Sequence, residues 1–363
     1  MNRHRQSPST ILAAVVCTWL SASSVAGQAD KAPAAPGKPK RETLKSGNYT
    51  MELPLGLQAD AAYIPDNNPL TVEKIELGKL LYFEPRLSKD ATIGCAGCHN
   101  PFHGFADADR VSKGVGNQPG GRNSPTVINR LFSAEQFWDG RAADLEAQAL
   151  GPLTNPVEMA MPAHTDVEKQ VKSINGYAPL FKKAFGNEEV NITRIAQAIA
   201  SYERTVLAGN SPFDQYMAGD KAAMSPSAVR GMELFNGKAN CKVCHSGFNF
   251  TDESYHNLGV GMNSAKPDLG RYEITKADSE KGAFKTPTLR NIELTAPYMH
   301  DGSESTLWAV VELYNKGGIG NPYLSKEIKP LNLSKAEIDD LVAFMQALTG
   351  PVTNMEPPPT FPK

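Results

Sequence analysis

Two short stretches, Cys95-Ala96-Gly97-Cys98-His99 and Cys241-Lys242-Val243-Cys244-His245, decide how the rest of this chain is read. Cys-x-x-Cys-His is the attachment sequence for c-type haem. The two thiols add across the porphyrin vinyl groups, and the following residue places an imidazole beneath the iron. A two-residue spacer lets one turn of chain present all three groups to the same macrocycle. A disulfide-exchange pair would want a βαβ context, and a zinc site would want ligands converging from both pairs. Neither accounts for a histidine directly after each second cysteine. Cys95, Cys98, Cys241 and Cys244 are therefore expected to carry two covalent haem c groups, with His99 and His245 as proximal ligands.

The remaining cysteine, Cys17, lies in a segment of different character. Arg3, His4 and Arg5 precede an apolar run from Ile11 to Leu20, and small residues follow through Gly27. This is the layout of a secretory signal peptide, with cleavage expected near Ala26 or Gly27, and the run is too short to span a bilayer. Export to the periplasm follows, with no stable membrane insertion after cleavage. Of the 363 residues 21% are charged, and the formal net charge is −2. With no long basic run, nothing points to a nucleic-acid partner.

Two halves echo each other. Gly78-Lys79-Leu80-Leu81-Tyr82-Phe83 leads into the first haem sequence, and Gly231-Met232-Glu233-Leu234-Phe235 leads into the second. Each half closes on an amphipathic helix. Ile192, Ile195, Ala196, Ile199 and Tyr202 recur at helical spacing in one; Ile338, Leu341, Val342, Met345 and Leu348 form a face in the other, begun by a Ser334–Glu337 capping box. The expected order is a signal peptide (1–27), a flexible Ala/Pro/Gly/Lys-rich leader (28–50), a first haem domain (51–210), a link (211–227), a second haem domain (228–351) and a tail (352–363). No strand run stands out. The fold class expected is mainly α, two cytochrome c-like domains each wrapping one haem, with long loops such as 114–125 and 257–270 carrying function.

A haem with two strong axial ligands carries electrons, whereas one with an open face can bind peroxide. Five side chains are candidates for a sixth ligand in this sequence: Met262, Met299, His256, His300 and Tyr314. Composition does not choose among them.

Longer stretches add a resemblance. Leu77-Gly78-Lys79-Leu80-Leu81-Tyr82-Phe83-Glu84-Pro85-Arg86-Leu87-Ser88, Gly121-Arg122-Asn123-Ser124-Pro125-Thr126-Val127 and Gln136-Phe137-Trp138-Asp139-Gly140-Arg141 occur in that order. Asn155-Pro156-Val157-Glu158-Met159 and Leu294-Thr295-Ala296-Pro297-Tyr298-Met299-His300-Asp301-Gly302 complete the series. Together they resemble the bacterial di-haem cytochrome c peroxidases and MauG over about residues 50–350. The resemblance implies that the His99 haem is the peroxidatic one, that Gln148 and Glu158 form its distal pair, and that Trp138 stands between the haems. It implies a calcium ion on Asn123, Thr295 and Pro297, a donor set of hard oxygens suited to that ion. Taken alone, Glu158 reads as a charge at a helix start, Gln148 as a surface amide and Trp138 as core packing.

Two positions depart from the capped peroxidases and a third departs from MauG. Where they carry a histidine in the loop after the first haem sequence, the matching residue here is Val115, and no histidine occurs between His103 and His164. Where a methionine ligates their second iron, the count from His300 reaches Tyr314, which shares a helical face with Leu307, Val310 and Val311. MauG-like proteins carry a tyrosine there. A thioether favours Fe(II) and raises the potential, whereas a phenolate stabilises the oxidised metal. MauG also passes holes through a tryptophan two residues before its second haem sequence, a position held here by Ala239. Three functions follow as expectations: a MauG-like oxidation of a protein or small donor using hydrogen peroxide, a conventional peroxidase drawing electrons from reduced cytochrome c, and a non-catalytic electron carrier. The resemblance implies a small cytochrome c, a cupredoxin or a protein substrate as electron donor, and often a homodimer.

Overall fold

A computed structural model describes residues 41–363. The expected signal peptide and residues 28–40 of the expected leader lie outside the described residues. The first described residues correct the reading of a flexible leader to residue 50 and of a chain without strands. β1 (Thr43–Ser46) and β2 (Tyr49–Glu52) form an antiparallel hairpin, pairing Thr43 with Glu52 and Ser46 with Tyr49. Gly47, at φ 55°, makes the turn in a conformation that costs glycine little. Leu44 and Met51 pack on a small apolar cluster with Leu53, Leu57, Leu131, Phe132 and Leu207. Four-residue strands are too short for their alternation to stand out in sequence.

The first half is then helical: α1 (Val72–Phe83), the single turn α2 (Cys95–Cys98), α3 (Leu145–Thr154), α4 (His164–Ser173), α5 (Tyr177–Phe185) and α6 (Ile192–Glu203). A short helix, α7 (Pro212–Met217), occupies the link. The second half has α8 (Pro226–Asn236), the turn α9 (Tyr272–Thr275), α10 (Leu307–Asn315) and α11 (Lys335–Gln346). A two-residue antiparallel pair, β3 (Tyr255–His256) with β4 (Phe284–Lys285), lies between them. The chain is mainly helical with two cytochrome c-type domains.

The sequence echo is a repeated helix crossing. α1 packs on α6, and α8 packs on α11. A Cβ on Gly78 would lie 1.8 Å from the Ala198 carbonyl oxygen, and one on Gly231 would lie 1.9 Å from that of Asp340. Each crossing is thus so close that only a hydrogen fits. The helices start where their caps dictate: Thr71 accepts from the Lys74 amide, Asn191 from Arg194, and Ser225 from Ala228. The expected Ser334–Glu337 capping box opens α11. Around the first crossing lie Leu77, Leu81, Tyr82, Phe105, Ile195, Ile199 and Tyr202. Around the second lie Phe235, Phe250, Leu307, Val311, Ile338, Leu341 and Phe344.

The link is anchored in the protein. Ser211 and Asp214 form a capping box on α7, and Asp214 pairs with buried Arg290 at 2.9 Å. The last segment runs back over the first half: Thr353 N–H donates to the Leu207 carbonyl, the Tyr202 hydroxyl donates to the Asn354 carbonyl, and Arg86 donates to that of Pro362. Val352 and Met355 pack on the first core. No helix among the described residues is long and apolar enough to cross a membrane.

Candidate haem sites

Gly94 starts α2, and its one turn carries both thiols of the first haem sequence into a cavity of about 520 Å³. His99 caps the turn by donating its amide to the Cys95 carbonyl at 3.0 Å, and it lines the same cavity. Its carbonyl accepts from the Tyr82 hydroxyl, 3.0 Å away and inside the core. Burial lowers the basicity of the imidazole, with the carbonyls of Phe105 and Pro125 acting the other way, which favours the neutral form that a metal ligand needs. Nδ1 of His99 is buried without a hydrogen-bond partner.

The second set is built on a 3₁₀ turn, Cys241–Val243, which opens on a cavity of about 220 Å³. Here Nδ1 of His245 lies 3.0 Å from the Phe250 carbonyl oxygen. That contact fixes the ring and leaves Nε2 free to coordinate a metal, the usual second-sphere arrangement for a histidine of that kind. All four cysteines are free thiols. Burial pushes the Cys241 thiol up to about 12 and raises the other three. Neutral, unpaired thiols lining a cavity beside a histidine fit covalent haem in both places. Cys244, Asp252 and His256 bring their ligand atoms within 4.8 Å of one another, but Cys244 is one of the two cysteines of the second haem sequence.

Gln148, on α3, and Glu158 line the His99 cavity together. The Asp144 carboxylate starts α3 by accepting from the Ala147 amide at 2.7 Å. After α3 the Asn155 side chain shapes a turn, accepting from the Val157 amide at 3.1 Å and donating to Glu158 Oε1 at 2.8 Å. Burial raises the Glu158 carboxyl above the usual range, opposed by the Arg141 guanidinium and the Asn155 hydrogen bond. The loop holding Val115 is tied to this turn, its amide donating to the Glu158 carbonyl at 2.8 Å. Gly114 passes so close that a Cβ would sit 2.2 Å from the Val157 carbonyl oxygen. Ser112 and Gly114 line the cavity from this loop and Val115 does not. His103 is exposed and outside it.

Trp138 lines both cavities. Its indole N–H donates to the Asn123 carbonyl at 2.8 Å, and its own carbonyl accepts from Lys285 on β4 at 2.8 Å. Asn123, Thr295 and Pro297 all line the His245 cavity, and Asn123 lines the other as well. The Asn123 amide nitrogen donates to the Arg110 carbonyl, leaving Oδ1 free to meet a cation.

Four of the five candidate sixth ligands, His256, Met299, His300 and Tyr314, line the His245 cavity; Met262 does not. Nε2 of His256 is 2.8 Å from Asp252. The His300 ring stacks on Phe284 at 3.6 Å between centroids, and burial pulls its pKa down to about 4. Leu307, Val310, Val311 and Tyr314 of α10 all face the cavity, the face read from their spacing. Burial, with Cys241 and Cys244 adding to it, raises the Tyr314 phenol above its ordinary value. Deprotonating it in place therefore requires a positive charge in the cavity.

Two further wall residues escaped the reading of the sequence. Glu203 ends α6, lines the His99 cavity and is 4% exposed, with Oε2 unpartnered. Burial pushes its carboxyl up to about 8, while Arg204 and Arg130 work against that. The signal was present: Glu203 stands four residues after Ile199 on the apolar face of the helix. Arg130, buried and lining both cavities, had no such signature.

Residues 72–222 match the family described as di-haem cytochrome c peroxidase, and residues 228–349 match cytochrome c. The chain belongs to the di-haem cytochrome c peroxidase family; it is an oxidoreductase with two haem c groups. Among its relatives, methylamine utilization protein MauG of Methylorubrum extorquens is 45% identical over 287 residues, covering 78% of this chain and 80% of that one. Cytochrome c551 peroxidase of Nitrosomonas europaea is 42% identical, covering 81% and 84%. A solved MauG-like protein associated with microbial copper homeostasis superposes with a TM-score of 0.73 at 30% identity, covering 80% of this chain and 93% of the other.

Proposed function

We propose that this chain is an exported, MauG-like peroxidase that reduces hydrogen peroxide at the His99 haem and draws electrons from a donor by way of the His245 haem. The observation that carries this reading is the wall of the His99 cavity, where Glu158, Gln148 and Trp138 face one space. A haem held by Cys95, Cys98 and His99 would supply the redox chemistry that splits the peroxide O–O bond. The chain supplies protons and geometry. Glu158 accepts a proton from the inner oxygen and returns it to the outer one, which then leaves as water. A raised carboxyl pKa suits that exchange, because the group must both take and give the proton near neutral pH. Gln148 orients the peroxide, and Asn155 holds the Glu158 carboxylate by its 2.8 Å hydrogen bond. Two protons and two electrons convert each peroxide to two waters, the electrons passing between the sites by Trp138.

Tyr314 is the proposed sixth ligand of the His245 haem, a hard donor that favours the oxidised metal. The donor in this reading is a small cytochrome c, a cupredoxin or a residue of a protein substrate. A calcium ion on Asn123, Thr295 and Pro297 braces the wall that the two cavities share, and periplasmic export and a homodimer belong to the same proposal. A conventional cytochrome c peroxidase is the second reading, favoured by Met299 in the same cavity as Tyr314.

Stopped-flow absorbance and frozen-sample EPR of the as-isolated diferric protein with one equivalent of peroxide test the choice. Rapid loss of both ferric signals without prior reduction is expected. Reaction only after one haem is reduced would establish the conventional peroxidase, and silence in both states would leave an electron carrier.

A further inference from the structure

Arg130 opens the 3₁₀ turn Arg130–Phe132 in the partition between the two haem cavities, and it lines both. It is 9% exposed, yet its guanidinium makes only neutral contacts: Nε donates to the Thr126 carbonyl at 3.1 Å and Nη1 to the Ser133 hydroxyl at 3.3 Å. The two other buried arginines are paired differently. Arg204 grips both oxygens of Glu146, and Arg290 grips both of Asp214. Among the described residues no carboxylate forms an ion pair with Arg130.

Its charged neighbours do not fill the gap. Glu253 acts on it from a distance but is held by Lys285 at 2.7 Å and by the Ser133 hydroxyl at 2.9 Å. Glu203 is also near, but its pKa of about 8 keeps it mostly protonated at neutral pH. Tyr255 is neutral there too, with its hydroxyl committed to Glu135. Leaving a buried cation without a counter-ion costs several kcal/mol. The anion must then come with whatever fills the cavities. A haem joined through its vinyl groups keeps its two propionate carboxylates, and planar guanidinium is suited to grip carboxylates.

We propose that Arg130 is a propionate anchor shared by the two haems, one guanidinium in the dividing wall pairing with a carboxylate of each. By holding those carboxylates ionised and neutralised, Arg130 sets the local charge felt by both irons. The inference needs only covalent haem in both cavities, whatever ligates the second iron, so it stands apart from the proposed peroxide chemistry.

The test uses the haem-loaded protein with Arg130→Gln, and Arg130→Lys as the charge-keeping companion, in a Glu203→Gln background that removes the nearby buried acid. Reduction potentials of both haems are followed by spectroelectrochemistry from weakly acidic to alkaline pH, and propionate bending bands by resonance Raman. With Gln, both haems should shift their propionate bands and both potentials should fall at alkaline pH. They should return towards the parent values at acid pH, where the released carboxylates take up protons and the lost positive charge no longer matters. The Lys variant should keep the potentials and shift the bands. Unmoved bands and potentials, or changes confined to one haem, would overturn the shared anchor. If the Gln variant fails to mature, the Lys variant decides: bands shifted in both haems support it, and bands shifted in one or neither overturn it.

Discussion

The two haem sites stand on one frame and part company at its edges. In both, a glycine lets the helix before the haem sequence touch the last helix of its half. Counting five residues on from each contact, at Ala198 and Asp340, reaches Glu203 in the first half and Met345 in the second, and each lines its own haem cavity. The shared register makes the difference meaningful: an acid stands where its counterpart is a thioether. The cavities differ in the same sense. The His99 cavity carries Gln148 and Glu158, while the His245 cavity receives Tyr314 from α10. In the proposed reading, an acid and an amide suit a substrate that brings protons, and a phenol in the second cavity suits a haem that only exchanges electrons. The helix crossing is common to both halves; the loops and the last turn of helix carry the residues by which the two sites differ.

The harshest way to break the contrast is to remove the proton carrier from one side. Glu158→Gln should leave both haems attached and slow peroxide cleavage roughly 10²–10⁴-fold, the range for loss of a general acid–base. A rate within twofold of the parent in stopped flow would take Glu158 out of the chemistry. Giving the second site a peroxidase-like ligand is the next step. Tyr314→Met should raise the potential of the His245 haem by part of the roughly 0.8 V that axial ligands span. It should also leave that haem's ferric EPR signal in place when peroxide is added without prior reduction. A potential that stays put would mean Tyr314 is not the ligand.

The shared frame can be broken symmetrically. Gly78→Ala and Gly231→Ala each drive a methyl into a backbone carbonyl, so each should cost about 1–3 kcal/mol, as overpacking does. Chemical denaturation of the haem-loaded variants reads this. If only one is destabilised, the two crossings are not equivalent.

Much of this frame was legible in the sequence because it is local. The haem sequences, the Ser334 capping box and the inward face of α10 each depend on residues a turn or two apart. Gly78 and Gly231 were legible as an echo, though not as the points where helices touch. The hairpin at residues 43–52 was missed because four-residue strands give alternation too little length to register. The roles proposed for Trp138, Gln148 and Glu158 came only with the resemblance, since the cavity that brings the three together is assembled from distant segments. Arg130 was illegible for a related reason: its missing counter-ion is evident only when Glu146 and Asp214 are seen paired elsewhere. The return of residues 352–355 to the first core joins the last segment to the first half, and no local pattern records it.

Making the two frames alike at their one mismatched wall position tests the comparison most finely. The Glu203 carboxyl has a folded-state pKa of about 8, above the ordinary glutamate value near ~4.3. A raised acid pKa contributes stability fully below the unfolded value, and that contribution is lost as pH rises towards the folded one. Glu203→Met, which copies Met345, should therefore gain on the parent steadily between about pH 4.3 and about 8, and the gain should level off beyond. Denaturation midpoints of the two haem-loaded proteins across that range measure it. A constant offset at every pH would mean the substitution only changes packing. An advantage that shrinks with rising pH would mean the acid is ionised in the folded protein and held by the cations that act on it, Arg204 and Arg130. The same data then bear on both walls at once, because Arg130 can serve the haems fully only if Glu203 does not claim it.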